Sequence, residues 1–196
     1  MSDASDLTYG PSALRTPANG VTIGRLLASP GLFVLIAQDG ATWGVFALWT
    51  GLAMTDGLDG WMARRHGTTR SGAFLDPLAD KVLVFGALVM LVSIGTFWWL
   101  PVAVIGAREL GISLIRVRWG RLGLAIPASR VAKAKTFVQA LAVGFALMPP
   151  TADHATWVAT GLLWIAVALT VVSGALYVAA GRAATTTMTA GRPVDG

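Results

Sequence analysis

The stretch 55–81, TDGLDGWMARRHGTTRSGAFLDPLADK, carries four aspartates between two long apolar runs. Asp56 and Asp59 are three positions apart, and Asp76 and Asp80 four. Each spacing puts its pair on one face of a helix. Between the pairs, HGTTRSG at 66–72 has the composition of a turn. A reversal about Gly67–Thr68 brings Asp56 level with Asp80, and Asp59 level with Asp76. The stretch therefore reads as a helical hairpin whose four carboxylates can face one another. At 1.5 Å per residue, Asp59 lies about 12 Å from the turn at most. That depth is inside a membrane boundary and open to one side.

Carboxylates this close cannot all ionise unaided, so they take up protons or bind cations. Hard divalent cations prefer oxygen ligands, and two such ions would balance four negative charges. A two-metal site suits phosphoryl chemistry because it stabilises both attacking and leaving oxygens. Acidic groups within spans are costly and tend to be functional. Gly60, Ala63 and Gly72 leave bare helix surface for a flat or bulky ligand, and Arg64 can pair with a phosphate. The same small residues also allow close helix packing.

Working outward, the chain has 196 residues, 55% hydrophobic and only 13% charged. That balance excludes an ordinary soluble domain and suits helical spans of about 20 residues. Six are expected, at roughly 21–38, 41–65, 72–96, 98–119, 128–148 and 155–180, with a kink at Pro30. The fold class is an all-α integral membrane protein with six transmembrane helices and a cytoplasm-facing polar cavity. Residues 1–19 read as a tail and interfacial segment, 20–181 as the membrane domain, and 182–196 as a disordered tail. The first apolar run comes too late, and without a cleavage site, for a secretory signal. Breaks at 38–40, 95–101, 120–127 and 148–153 carry turn residues. Trp43, Trp98, Trp99 and Trp157 fall at span ends on one side, as an aromatic belt does.

Charge gives the orientation. Every Lys and Arg maps to the side of the two tails, and the opposite loops hold Asp39 and Asp153 with no basic residue. The positive-inside rule then makes both tails and the carboxylate site cytoplasmic, in a multi-pass protein of the inner membrane. The net charge of +5 sits beside apolar segments, which favours anionic lipid or phosphate over nucleic acid. There are no cysteines, and His66 and His154 are too far apart in sequence to suggest a metal pair.

The series Asp56-x2-Asp59-Gly60-x2-Ala63-Arg64-x7-Gly72-x3-Asp76-x3-Asp80 resembles the signature of the CDP-alcohol phosphotransferase family at every fixed position. The resemblance implies six transmembrane helices, a CDP-linked donor, two Mg²⁺ or Mn²⁺ ions on the four aspartates, and a homodimer. It makes Asp56, Asp59 and Asp76 metal ligands, and Asp80 both a ligand and the general base. Gly60, Ala63, Arg64 and Gly72 would line the cytidine diphosphate site.

Further stretches resemble the branch of the family that makes phosphatidylglycerophosphate. NGVTIGR places Asn19, Thr22 and Arg25 at the spacing of its PNxLTxxR opening, with Ala18 and Val21 as departures. These three residues join the expected CDP site. ARELGISLIR (107–116) and PASRVAKAKTFVQ (127–139) are also similar, with Ala132 where glycine is common. The last span shows no motif. On this reading CDP-diacylglycerol is the donor and glycerol 3-phosphate the acceptor. Arg108, Arg116, Ser129, Lys133 and Lys135 are expected to hold the acceptor phosphate beside the metals. Arg118, Arg121 and Arg130 are equally suited to snorkel to headgroups, and Arg108 to pair with Glu109. Inositol 1-phosphate and phosphatidylglycerol remain alternative acceptors. An intramembrane cation transporter remains an alternative of another class, although no second copy of the aspartate pattern occurs.

Overall fold

A computed structural model describes the backbone of residues 17–66, 72–121 and 130–190, and side chains over 20–55, 79–120 and 131–183. All regular structure among the described residues is helical: α1 (Pro17–Asp39), α2 (Trp43–His66), α3 (Gly72–Ser93), α4 (Trp99–Arg121), α5 (Arg130–Leu147), α6 (Pro149–His154) and α7 (Thr156–Ala190). Two segments, Gly20–Asp39 and Thr156–Ala183, are long and apolar enough to cross a bilayer. α2, α4 and α5 carry aspartates or basic residues in one half, which lowers their mean hydropathy.

Helix ends follow local chemistry. Thr42 caps α2, its Oγ1 accepting from Val45 N–H at 3.3 Å. α3 closes in a paired hydrogen-bond motif: Gly95 N–H donates to Val92 C=O at 3.0 Å and Thr96 N–H to Leu91 C=O at 2.9 Å. That closure needs a left-handed residue after the helix, and Gly95 supplies it with φ of 79°. Pro30 lies within α1 without ending it.

Two differences from the sequence expectations stand out. The MPPTAD break is not a plain turn but contains α6, with prolines at its first positions and Thr151 buried. Proline suits the first turn of a helix because its φ is preset and its missing N–H would be unbonded there anyway. α7 also runs on to Ala190, through most of the stretch expected as a disordered tail. The run ArgAlaAlaThrThrThrMetThrAla at 182–190 contains no breaker; Gly191 and Pro193 come only after it. Residues 191–196 of that tail, and the interfacial segment before Pro17, lie outside the described residues.

The chain divides into two compact units, residues 1–97 with 143–156, and 98–142 with 157–196. In the first unit α1 packs against α2 and α3. Its buried stripe is Thr22, Arg25, Ser29, Leu32 and Ile36, alternating three and four residues apart. The stripe changes chemistry midway: its first three members are polar and its last two apolar. α3 answers with Ala79, Leu83, Val84, Ala87, Leu88 and Leu91.

Gly86 of α3 lies against the Phe33 ring of α1, and a methyl group there would come within 2.9 Å of Phe33 Cε1 and closer still to the ring tip. Gly86→Ala is therefore expected to force the ring or the helices apart, costing about 1–3 kcal/mol by overpacking. A lowered melting temperature in detergent is the expected readout. An unchanged one would show that the ring moves freely.

In the second unit α7 buries Leu163, Ala166, Thr170, Ser173, Gly174 and Tyr177 along one face. Its other face exposes Trp164, Ile165, Val171, Val172 and Leu176. α4 likewise exposes Leu110, Leu114 and Val117. Outer faces this apolar are suited to lipid rather than water. Trp43, Trp98, Trp99 and Trp157 all sit at or beside the first residues of helices, 59–75% exposed.

Candidate functional site

The aspartate series is divided between two helices as the hairpin reading requires. Asp56 and Asp59 lie on α2, and Asp76 and Asp80 on α3. Both helices are regular at these positions, so each pair keeps its shared face. Of the four side chains only that of Asp80 is described. It is half-buried, next to Ala79 in the packed face of α3. The side chains of Asp56, Asp59 and Asp76 lie outside the described residues, as do those of Gly60, Ala63, Arg64, Gly72 and Asn19. Ser129 and the expected turn at 67–71 lie outside them altogether. Among the described residues no three acidic or histidine side chains gather into a cluster. The chemistry of the donor set still fits a hard divalent cation: four carboxylates on regular helices, in a chain without a thiol.

Thr22 and Arg25, expected at the CDP site, are both fully packed into the first unit, with Arg25 only 2% exposed. Arg25 Nε donates to Thr55 Oγ1 at 3.2 Å. Thr55 Oγ1 in turn donates to Leu52 C=O at 2.6 Å, which fixes the hydroxyl and leaves its lone pair for the arginine. Ser29 Oγ donates to the backbone carbonyl of Arg25 at 2.8 Å. The guanidinium is thus held against the residue immediately before Asp56. A buried arginine is expensive, and it persists where it meets carboxylates or an anionic ligand.

The expected acceptor residues separate in the second unit. Lys135 is buried and donates to Glu109 Oε1. Arg108 Nη1 donates to the same oxygen at 3.0 Å, and Arg108 Nη2 to Ser173 Oγ at 2.9 Å. One carboxylate therefore ties together two of the expected cations. Lys133, two positions from Lys135, is exposed. Arg116 is also exposed, and its guanidinium carbon lies 5.5 Å from the Tyr177 ring centroid. That ring is stacked on Trp119 at 5.6 Å, a cation–π and stacking arrangement that orients the arginine. Gly181 provides room for Trp119, whose ring a methyl group at 181 would overlap.

The α7 side of these contacts is what the sequence reading missed. Thr170, the adjacent Ser173 and Gly174, Tyr177 and Gly181 follow one another at about one helical turn and form one buried face. Gln139 Nε2 of α5 donates to Thr170 Oγ1 at 3.3 Å. The signal available was polar and small residues at helical spacing within an apolar run.

Comparison with known proteins places this arrangement. The description of the CDP-alcohol phosphatidyltransferase family matches residues 15–172. A Mycobacterium tuberculosis protein named "Probable phosphatidylglycerophosphate synthase" is 37% identical over 150 residues, covering 71% of this chain and 69% of its own. A protein of Shigella flexneri named CDP-diacylglycerol–glycerol-3-phosphate 3-phosphatidyltransferase is 38% identical over 171 residues, covering 83% of this chain and 93% of its own. One of that name from Escherichia coli is 37% identical over the same length. A match spanning the aspartate helices, the buried α1 stripe and the first half of α7 means that the chain belongs to the CDP-alcohol phosphatidyltransferase family.

Proposed function

We propose that this enzyme transfers the phosphatidyl group of CDP-diacylglycerol to glycerol 3-phosphate, forming phosphatidylglycerophosphate and CMP in phospholipid biosynthesis. The observation that carries this reading is the 37–38% identity, over 71–83% of the chain, to proteins named for that activity. The local chemistry supports it. A buried arginine at the edge of an aspartate series suits a diphosphate that arrives with its charge partly neutralised. Basic residues on α4 and α5 suit an acceptor that brings its own phosphate.

In this mechanism the acyl chains stay in lipid while the headgroup lies over Asp56, Asp59, Asp76 and Asp80. Asp80 removes the proton from a hydroxyl of glycerol 3-phosphate. That oxygen attacks the phosphorus bearing the diacylglycerol, and the bond to the cytidine monophosphate oxygen breaks. Thr22, Arg25, Asn19, Gly60, Ala63, Arg64 and Gly72 bind the CDP moiety. Arg108, Arg116, Ser129, Lys133 and Lys135 hold the acceptor phosphate. Two Mg²⁺ or Mn²⁺ ions on the aspartates would neutralise charge on the transferring group.

The same reading makes residues 20–181 a six-span domain with a polar cavity and both termini on the cytoplasmic side of the inner membrane, working as a homodimer. Its support is the one-sided distribution of Lys and Arg, the exposed tryptophans at helix starts, and the apolar outer faces of α4 and α7.

Purified protein mixed with CDP-diacylglycerol should release CMP with glycerol 3-phosphate. Inositol 1-phosphate, inositol, serine and phosphatidylglycerol should give far less. EDTA should stop the reaction and excess Mg²⁺ or Mn²⁺ should restore it. Preference for another acceptor would transfer the assignment to that acceptor, and no CMP release with any of them would remove it.

A further inference from the structure

Helix α7 has no sequence motif, yet the side chain of Arg108 ends on it. Arg108 offers five N–H donors in a rigid fork. One Nη1 hydrogen goes to Glu109 and one Nη2 hydrogen to Ser173. Ser173 Oγ spends its own proton on Thr170 C=O at 3.0 Å, so towards Arg108 it is an acceptor. Nε is buried and has no hydrogen-bond partner among the described residues. It lies beside Gly174, where a methyl group would come to 3.3 Å from Nε and 3.4 Å from Cγ. The guanidinium is therefore fixed from three sides: by a carboxylate on its own helix, by a hydroxyl on α7, and by a position on α7 that has no side chain. Glu109 also holds Lys135, so its charge is shared between two cations.

Packing alone does not call for this arrangement. An apolar residue at 108 facing Leu or Val at 173 would join two membrane helices without burying an arginine. Among the described residues each Nη makes one hydrogen bond, which leaves a second hydrogen on each for an anion held by two oxygens.

We propose that Ser173, Gly174 and Glu109 are positioning residues that aim Arg108 at the phosphate of the acceptor, so that α7 sets acceptor affinity. This rests on the proposed reading of glycerol 3-phosphate as acceptor. Ser173 and Gly174 touch neither substrate. They act through the direction of the guanidinium, and Glu109 through its position and charge.

The test uses the full chain in detergent with CDP-diacylglycerol, varying each substrate in turn. Ser173→Ala and Gly174→Ala are each expected to raise KM for glycerol 3-phosphate about tenfold, the loss of one charge-assisted hydrogen bond or its equivalent in misdirection. KM for CDP-diacylglycerol and the melting temperature should stay near wild type. Ser173→Thr, which keeps the hydroxyl, should recover most of the acceptor affinity. If Ser173→Ala does not yield folded protein, Gly174→Ala gives the same readout with every hydrogen-bonding group retained. Wild-type KM for glycerol 3-phosphate in the folded alanine variants overturns the proposal. So does a parallel rise in both KM values with a falling melting temperature, which is the mark of a purely structural contact. Failure of the wild-type protein to use glycerol 3-phosphate at all overturns the functional reading, and this inference with it.

Discussion

Asp80→Asn is expected to lower CMP release at least about 1,000-fold while leaving the protein folded. Asparagine has the size of aspartate but neither its charge nor its basicity. The substitution removes a proton acceptor, which general base catalysis values at about 100- to 10,000-fold, and weakens cation binding at the same carboxylate. Folding should survive because Asp80 is only half-buried, and the packing of α3 rests on Ala79, Leu83, Val84 and Leu88. The check is CMP release from CDP-diacylglycerol alongside the elution profile and melting temperature in detergent. Activity within about tenfold of wild type would take Asp80 out of the catalytic role.

Arg25→Met is expected to reduce activity at least about 100-fold, and to do so through the donor. Methionine fills much of the volume of arginine, so the buried stripe of α1 stays packed. What is lost is the guanidinium held by Thr55 beside Asp56. Two charge-assisted hydrogen bonds to a diphosphate, at about 1.5–3 kcal/mol each, correspond to a loss of that size or more. KM for CDP-diacylglycerol should rise, and KM for glycerol 3-phosphate should change little. A variant whose KM for CDP-diacylglycerol stays within about threefold of wild type would leave Arg25 a packing residue. This outcome separates Arg25 from the Ser173 and Gly174 variants, which are expected to act on the acceptor side.

The two effects belong to residues whose legibility differs. Asp80 is visible from its spacing alone: a fourth carboxylate one helical turn from Asp76, across a turn from another pair. Arg25 is visible only as a motif position. In an apolar helix one arginine can snorkel, pair or bind, and the 3.6-residue period does not choose between these. Its burial, with Nε on Thr55 of α2, excludes snorkelling.

The same limit applies to the lysines of α5. A spacing of two places Lys133 and Lys135 on different faces, but the sequence does not say which face is inward. In a helix that is apolar on most sides, amphipathicity gives no direction. Contact with Glu109 makes Lys135 the inner residue. Serine and threonine in an apolar helix are ambiguous for another reason. Either can satisfy itself on the carbonyl a turn earlier. Ser173 does so on Thr170 and also accepts from Arg108, and only the neighbouring helix reveals the second bond.

The sequence by itself determined the helical membrane character, the approximate limits of the helices, the carboxylate series and the family. The first three follow from composition, period and spacing, which are local properties of the chain; the family follows from the likeness of the aspartate motif to a known signature. It did not determine α6, the continuation of α7 to Ala190, or which polar groups meet. Prolines read as breakers until their place at a helix start is known, and a polar run reads as a tail until its lack of breakers is weighed. Tertiary structure decided that Glu109 joins Arg108 to Lys135, that Tyr177 lies under Arg116, and that α7 supplies Ser173 and Gly174 to the arginine. Those are choices among faces of helices, and a face acquires a partner only when the helices pack.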